Sequence, residues 1–534
     1  MGLLSDSERD FATAVAHLIY VNPFLAKRIE WERRALGAEH LPFDAVWHSR
    51  GDLAGENPNE VRIAERAAAL AEVLRERLAS GGRALAEELE LYQDVVLYLL
   101  YYRYQAQLFA VLVAPGRRPN FGFYSEFAAD CERFFAPAAG RRRPRPDPAH
   151  LFACCFQIRR AFHSTFHSIV GGSMPAARLR AQVWQSIFTH DLRRYLRVLY
   201  QRLGDVTTLV TGPSGTGKEL VARSIALSRY LPFDPETRSF GERPEESFFP
   251  LNLSALSPTL IESELFGHRR GAFTGAVADR TGWFEVCPPL GTVFLDEIGE
   301  VDSAIQVKLL RVLETRTFQR LGDTKERRFR GKVVAATNRD LDAEMSAGRF
   351  REDLYYRLCA DRIQTPSLAE RVRESPREIS DLVLFLAERQ VGEELAPELA
   401  REVVDWIDRR LGRDYPWPGN VRELAQCVSN ILIRSEYLPA ARVSVDDPRR
   451  AVGEEILAGR LSADEVLGRY CTLVYAETGS YQESARRLGL DRRTVKSRVE
   501  PALLAKLRSA GPSSPQPSSP IALPPTGRRG SGLS

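Results

Sequence analysis

Gly212-Pro213-Ser214-Gly215-Thr216-Gly217-Lys218 stands between an apolar β-branched run, Thr207 to Val210, and a helical run, Leu220 to Leu227. Strand, glycine loop and helix in that order make a phosphate loop. The glycines let backbone N–H groups converge on phosphate oxygens. The helix N-terminus adds the positive end of its dipole, and Lys218 brings a full charge to the β- and γ-phosphates. One position departs from the generic pattern: Glu219 stands where a Ser or Thr usually touches Mg²⁺.

About eighty residues on, Gly291-Thr292-Val293-Phe294-Leu295-Asp296-Glu297 is an apolar strand ending in two carboxylates. Asp296 is placed to hold Mg²⁺, and Glu297 to orient and activate the water that attacks the γ-phosphate, so hydrolysis is implied as well as binding. A third strand, Lys332 to Ala336, leads to Thr337-Asn338, where Asn338 can contact the γ-phosphate or the attacking water. Short β-branched runs alternating with helical stretches from Gly171 to about Leu438 read as α/β architecture with buried parallel strands. Before it, from Asp6 to about Phe166, apolar residues recur at three- and four-residue spacing, as in Arg62 to Leu78 and Ala84 to Val113, and predict an all-helical domain. Pro115-Gly116-Arg117-Arg118-Pro119 and Gly140 to Pro146 interrupt it as loops.

The central segment resembles the AAA+ ATPase domain of bacterial enhancer-binding proteins, the transcription activators that work with the alternative sigma factor sigma-54. Glu262-Ser263-Glu264-Leu265-Phe266-Gly267-His268 followed by Gly271-Ala272-Phe273-Thr274-Gly275-Ala276 is its most specific element. The resemblance implies that this GAFTGA loop projects from the ATPase ring and contacts sigma-54. It also makes Glu219 ordinary, because the family's phosphate loop usually carries glutamate there. It implies that Asn252 pairs with the catalytic Glu297, and that Arg351 and Arg357, in Gly348 to Leu358, are arginine fingers reaching a neighbouring subunit's nucleotide. Trp417-Pro418-Gly419-Asn420-Val421-Arg422 matches the second sensor motif, with Arg422 contacting nucleotide from a helical lid. ATP and Mg²⁺ are the implied cofactors; a hexameric ring and the sigma-54 RNA polymerase holoenzyme are the implied partners. The chain departs from the family in extra material at Asp191 to Asp205 and Tyr230 to Ser247. It also departs at Leu253 in place of a cysteine and at Leu368-Ala369-Glu370-Arg371 in place of an arginine-rich turn. Neither of these last two is expected to touch the core chemistry.

At the carboxy-terminal end, Ala485, Gly489 and Val495 have the spacing of a helix-turn-helix, in which the small Ala allows close helix crossing and Gly the tight bend. Tyr481 to Val499 resembles the Fis-type unit that ends many members of the family. Residues 480–508 hold 8 Lys or Arg against 3 Asp or Glu, a local positive patch suited to double-stranded DNA. Arg492, Arg493, Thr494, Lys496, Ser497 and Arg498 are the candidate DNA contacts. The whole chain, at +4 from 74 basic and 70 acidic residues among 534, is too balanced to bind nucleic acid in bulk.

The domain reading is therefore 1–167 helical and regulatory, 168–374 AAA+ core, 375–440 helical lid, 441–460 linker, 461–508 helix-turn-helix and 509–534 tail. Of the last 26 residues 17 are Ser, Pro or Gly, which favours a flexible tail. The most apolar stretch, Val95 to Tyr102, is bounded by Asp94 and Arg103 and is too short to span a membrane. The start shows no export signal, and seven scattered cysteines fit reduced thiols in the cytoplasm. No paired aspartates mark a phosphoacceptor receiver in the amino-terminal part. Cys154, Cys155, His163 and His167, interleaved with phenylalanines, read as core, while Tyr92, Tyr98, Tyr101, Tyr102 and Tyr104 fit a core or a ligand pocket equally. Two rival readings share the nucleotide residues: a AAA+ remodeller of another protein, and a DNA-binding repressor whose ATPase is an assembly switch.

Overall fold

The structure is a computed structural model that describes residues 2–42, 57–114, 120–138, 146–241, 247–412, 414–439, 452–453, 455–456, 459 and 461–509. The proline loop at 115–119, most of the Arg141–Arg143 loop, most of the 441–460 linker and nearly all of the tail lie outside the described residues. The chain divides into two units, Met1–Tyr437 and Leu438–Ser534.

The first unit is built on a five-stranded, all-parallel sheet: β1 (Thr208–Thr211), β2 (Phe248–Asn252), β3 (Thr292–Asp296), β4 (Lys332–Thr337) and β5 (Asp361–Gln364), in the order β5-β1-β4-β3-β2. The central strands β1, β3 and β4 are buried almost throughout, which is why their sequences are continuous apolar runs. Pro250 cannot donate to a ladder and sits on β2, an edge strand where this is tolerated.

Among the described residues the chain begins with the helices α1 (Asp6–Tyr20), α2 (Lys27–Leu36), α3 (Pro58–Ala79), α4 (Ala86–Val113), α5 (Tyr124–Phe135) and α6 (Pro148–Ser168). Ser5 and Glu8 form a capping box on α1, and Asp147 with Pro148 starts α6. The tyrosines of α4 divide between core and cavity. Tyr92 donates to Phe134 O at 2.6 Å and Tyr104 to Asp130 at 2.9 Å, whereas Tyr98, Tyr101 and Tyr102 border a small apolar cavity of about 80 Å³ beside Arg28. Cys154 and Cys155 are buried thiols, and His163 stacks on His167 within the helical packing.

This helical layer has no separate boundary at residue 167. Phe24, Ala161 and Phe166 share one core with Trp184, Ile187 and Phe188 of α7 (Met174–Phe188), with Tyr195 of α8 (Leu192–Arg197), and with Val221 and Ile225 of α9 (Lys218–Leu227). The extra material at 230–247 holds an antiparallel pair, Phe233–Asp234 with Ser239–Phe240. Phe233 and Phe240 lie against Phe152 and Phe156 of α6, with ring centroids 4.6 and 4.9 Å apart. Four helices, Leu368–Glu374, Arg377–Val391, Ala396–Arg410 and Asn420–Arg434, form a lid with its own apolar core around Trp417, Leu424 and Val428.

The second unit contains helices Ala463–Thr478, Tyr481–Leu488, Arg492–Arg498 and Pro501–Ser509. Gly489 terminates Tyr481–Leu488 in the left-handed conformation (φ +67°), and Asp491 caps Arg492–Arg498 through the amides of Arg493 and Thr494. Ala485 and Val495 are buried between these helices, while the basic side chains of Arg492–Arg498 are outside. Among the described residues no helix is long and apolar enough to cross a membrane.

Candidate nucleotide site and loop

The phosphate loop joins β1 to α9. Gly212, Gly215 and Gly217 all have positive φ (+146°, +78° and +91°), which L side chains rarely adopt. Space forbids a substituent as well: a Cβ on Gly212 would lie 2.1 Å from Thr365 Oγ1, and one on Gly215 2.3 Å from Gly419 O. Thr216 Oγ1 donates to Pro213 O (2.8 Å), and Lys218 Nζ donates to Gly212 O (3.1 Å) and Pro213 O (3.2 Å), so the lysine lies curled within the loop.

Residues Ser214 to Val221, Asp296, Glu297 and Arg422 line one cavity of about 310 Å³. Burial pushes the Lys218 amine down and the Asp296 carboxyl up, each opposed by the attraction of the other. Asp296 accepts from the Glu297 amide at 3.0 Å. Glu297 itself has left-handed backbone (φ +56°, ψ +47°), a strained turn that carries its side chain to the end of β4, where Oε2 accepts from the Asn338 amide at 3.2 Å. Asn252 is opposite Asp296 in the β2–β3 register. Its Oδ1 accepts from Ser254 N (3.0 Å) and Ser254 Oγ (2.8 Å), so the Asn252–Glu297 pairing implied by the resemblance is not the arrangement adopted.

The lid closes on the loop through backbone as well as side chains. Val421 N donates to Gly215 O (3.1 Å), Asn420 Nδ2 to Ser214 O (2.9 Å) and Arg422 Nη1 to Ser214 Oγ (2.9 Å). Ile169, Val170, Phe385, Leu386 and Ala425 give the same cavity an apolar wall that fits a planar base. No local sequence signal marks these residues, because they are scattered over two helices and a loop. The expectation that the turn containing Arg371 stays clear of the core chemistry is corrected: Arg371 is buried, lines the cavity, pairs with the fully buried Glu378 and donates to Val170 O. Arg180, also buried, donates to Ile169 O (2.8 Å) and Gly171 O (2.9 Å), so two arginines fix the irregular entry segment at 169–173.

Arg351 and Arg357 do not line this cavity. They lie on the surface at Glu352–Leu358, Arg351 paired with Asp353 (2.6 Å) and Arg357 with Glu314 (3.2 Å).

The Gly271 to Ala276 hexapeptide tips a hairpin whose base is the antiparallel pair Gly267–His268 with Arg280–Thr281. Gly271 N donates to Ala276 O (2.8 Å) and Ala276 N to Phe273 O (3.0 Å), closing a compact turn with positive φ at Gly271 and Gly275. Thr274 and Val277 are exposed, and the Phe273 ring rests edge-on over His268 at 4.9 Å. A second hairpin braces the base: Leu321 N donates to Gly267 O and Arg269 N to Leu321 O, both at 2.9 Å.

Among the described residues no group of three or more His, Cys, Asp or Glu side chains is gathered to hold a metal alone. The donor set at Asp296 fits instead a hard cation held by one carboxylate together with phosphate oxygens.

A family model described as the sigma-54 interaction domain matches residues 187–364. The Nif-specific regulatory protein of Azotobacter vinelandii is 39% identical over 301 residues, 55% of this chain and 54% of that protein. The hydrogenase transcriptional regulatory protein HoxA of Bradyrhizobium diazoefficiens is 44% identical over 234 residues, 43% of this chain and 44% of that protein. The transcriptional regulatory protein ZraR of Escherichia coli is 37% identical over 311 residues, 55% of this chain and 63% of that protein. The chain thus spans about half to two thirds of the length of these curated relatives. With the phosphate loop, the carboxylate-tipped β3 and the hexapeptide hairpin all inside or bordering the matched segment, the central domain belongs to the sigma-54 interaction family of AAA+ ATPase domains.

Proposed function

We propose that the chain is a sigma-54-dependent transcription activator. Its Fis-type helix-turn-helix binds an upstream DNA site and its central domain assembles into a hexameric ring that hydrolyses ATP. The Gly271 to Ala276 loop remodels the closed complex of sigma-54 RNA polymerase holoenzyme. The observation that carries the reading is the hairpin: an exact hexapeptide with Thr274 exposed at its tip, on the same chain as an intact phosphate loop and β3 carboxylates.

In this reading the Gly212 to Lys218 amides and Lys218 Nζ bind the β- and γ-phosphates, and Arg422 closes over them from the lid. Asp296 would hold Mg²⁺, which would supply positive charge against that of the phosphates. Glu297 accepts the proton of the attacking water, and Asn338 reports on the γ-phosphate position. Arg351 and Arg357, surface-exposed and remote from their own cavity, suit donation to a neighbouring subunit's nucleotide, which makes turnover depend on assembly.

Asn252 gives the route from chemistry to loop. It ends β2, and a turn (Leu253–Ala255) and one helix (Pro258–Phe266) then run straight into Gly267 at the hairpin base. A switch of Glu297 from the Asn338 amide to the Asn252 side chain would pull that helix, and Phe273 and Thr274 with it. On the second unit, the exposed Arg492, Arg493 and Lys496 with Thr494 and Ser497, and the half-buried Arg498 paired with Asp464, suit a helix laid in the major groove.

The test is capture of sigma-54 by the full chain with a transition-state analogue of ATP, alongside phosphate release. Capture that needs the analogue and is lost in Thr274→Ala supports the activator. Turnover without capture favours a remodeller of another protein, and DNA binding without turnover favours the assembly switch.

A further inference from the structure

A second cavity, of about 450 Å³, lies at the opposite ends of the strands from the nucleotide site. Leu290, just before β3, and Lys332, the first residue of β4, form part of its floor, whereas Asp296 and Thr337 close those strands on the nucleotide side. Its other walls are α6, the extra segment after α7, and the end of α9 with the extra segment that follows it. Both additions to the family pattern therefore meet here.

The wall carries buried polar groups that the protein does not satisfy. Lys332 is 4% exposed, and Val206 O, at 2.6 Å, is its one hydrogen-bond acceptor among the described residues, leaving two of three N–H donors unused. Gln157 is 1% exposed; its Nε2 donates to Tyr195 Oη (2.6 Å) and Ser228 O (2.9 Å), but its Oε1 has no partner. Buried polar groups are normally paired, so an unused amine and an unused amide oxygen on one cavity wall point to a missing ligand. Tyr200 and Tyr230 lie 4.5 Å apart with their rings tilted by 57° and add aromatic surface, with His150 4.4 Å from Tyr200. Arg229 adds a second cation near Lys332, and the lining carboxylate, Asp147, is exposed and engaged in capping α6.

We propose that this cavity binds a small aromatic acid bearing a hydroxyl group. Its carboxylate meets Lys332 and Arg229, its hydroxyl donates to Gln157 Oε1, and its ring packs on Tyr200 and Tyr230. The volume falls within the roughly 300–1,000 Å³ of ordinary small-molecule sites. Occupancy bears directly on the ATPase, because Ser228 terminates α9, Leu290 leads into β3 and Lys332 begins β4. This regulatory half rests on the ATPase reading above; the binding half does not.

The test uses the full chain and 4-hydroxybenzoate as probe, with its methyl ester as the uncharged control. Titration calorimetry and thermal unfolding are expected to show saturable binding of the acid and at least tenfold weaker binding of the ester. Ala149→Trp, at the partly exposed start of α6, places an indole in the cavity, and Tyr200→Leu replaces an aromatic ring with a smaller aliphatic side chain. Each variant, folded by circular dichroism, should lose at least tenfold in affinity. Phosphate release should change at least twofold on saturation. No saturable binding, equal binding of the ester, or wild-type affinity in both variants overturns the site. Binding with turnover unchanged overturns the regulatory half, whereas binding in a chain with no turnover under any condition leaves the site standing and removes the ATPase reading.

Discussion

Arg371→Ala tests whether the entry segment of the nucleotide site, residues 169–173, is held by a buried ion pair. Arg371 is 6% exposed and Glu378 fully buried; the guanidinium grips the carboxylate and also donates to Val170 O, while Glu378 Oε2 accepts from Ser173 N at 3.0 Å. Gly171 threads between them with φ +117°, so closely that a Cβ would lie 2.2 Å from Glu378 Oε1. Truncating Arg371 leaves a buried carboxylate with one amide donor, and such uncompensated charge costs about 3–5 kcal/mol. Removing both charges in Arg371→Met with Glu378→Leu takes away the partners of the Ser173 amide and of Val170 O, so stability should recover only in part. Urea unfolding measures the loss, hydrogen exchange of amides 170–180 locates it, and a fluorescent ATP analogue reports the accompanying fall in affinity through Val170. A loss below about 1 kcal/mol in Arg371→Ala, or a double variant no better than the single, would refute the argument that pairing and not mere packing holds this segment.

Glu297→Gln should bind nucleotide normally while phosphate release falls by about 10²-fold or more, the usual contribution of a general base. Burial holds the Lys332 amine down to about 7, against 10.5 in an unfolded chain. Between those values the unfolded state binds the extra proton, so stability should rise with pH, by up to about 1.4 kcal/mol per pH unit from this residue, and be flat in this contribution below pH 7. Denaturation measured from pH 7 to 9.5 should lose that slope in Lys332→Met. In DNA binding, Arg493→Ala and Lys496→Ala should each lower affinity, and the salt slope sorts them: a phosphate contact lowers affinity uniformly and reduces the slope by about one, whereas a base contact costs about 1–3 kcal/mol and relaxes specificity at one position.

The parts of the fold legible in sequence are those whose environment is uniform. Thr207 to Val210, Val293 to Leu295 and Lys332 to Ala336 are buried on both faces, so a mostly apolar, β-branched run marks each strand to within a residue. The edge strands gave no such signal: β2 contains Pro250 and β5 reads Asp361-Arg362-Ile363-Gln364, with only Ile363 buried. In the site, the phosphate loop and β3 carboxylates are contiguous letters whose chemistry forces their neighbours. Arg180, Arg371 and Glu378 are separated by up to 198 positions and act together only after folding, so no local pattern exposes them.

The absence of a physical boundary at residue 167 changes what regulation can mean here. Helix α6 does not merely abut the ATPase; it completes the hydrogen bonding of α9. Arg160 donates to Leu227 O and Arg229 O, Gln157 to Ser228 O, and Ser164 O accepts from Ser224 Oγ. The carbonyls at a helix C-terminus have no partners of their own, so α6 supplies them for the helix that begins at Lys218. Cutting at 167 would strip these donors and bare Trp184, Val221 and Ile225, which share a core with Phe24, Ala161 and Phe166. A truncated chain would then report damage to the phosphate-binding helix, not relief or loss of a signal. Because α6 also walls the 450 Å³ cavity, whatever occupies that cavity acts on the end of α9 directly. Point changes inside the cavity, which leave the bonds of Gln157, Arg160 and Ser164 to α9 in place, are therefore the perturbations that separate sensing from folding.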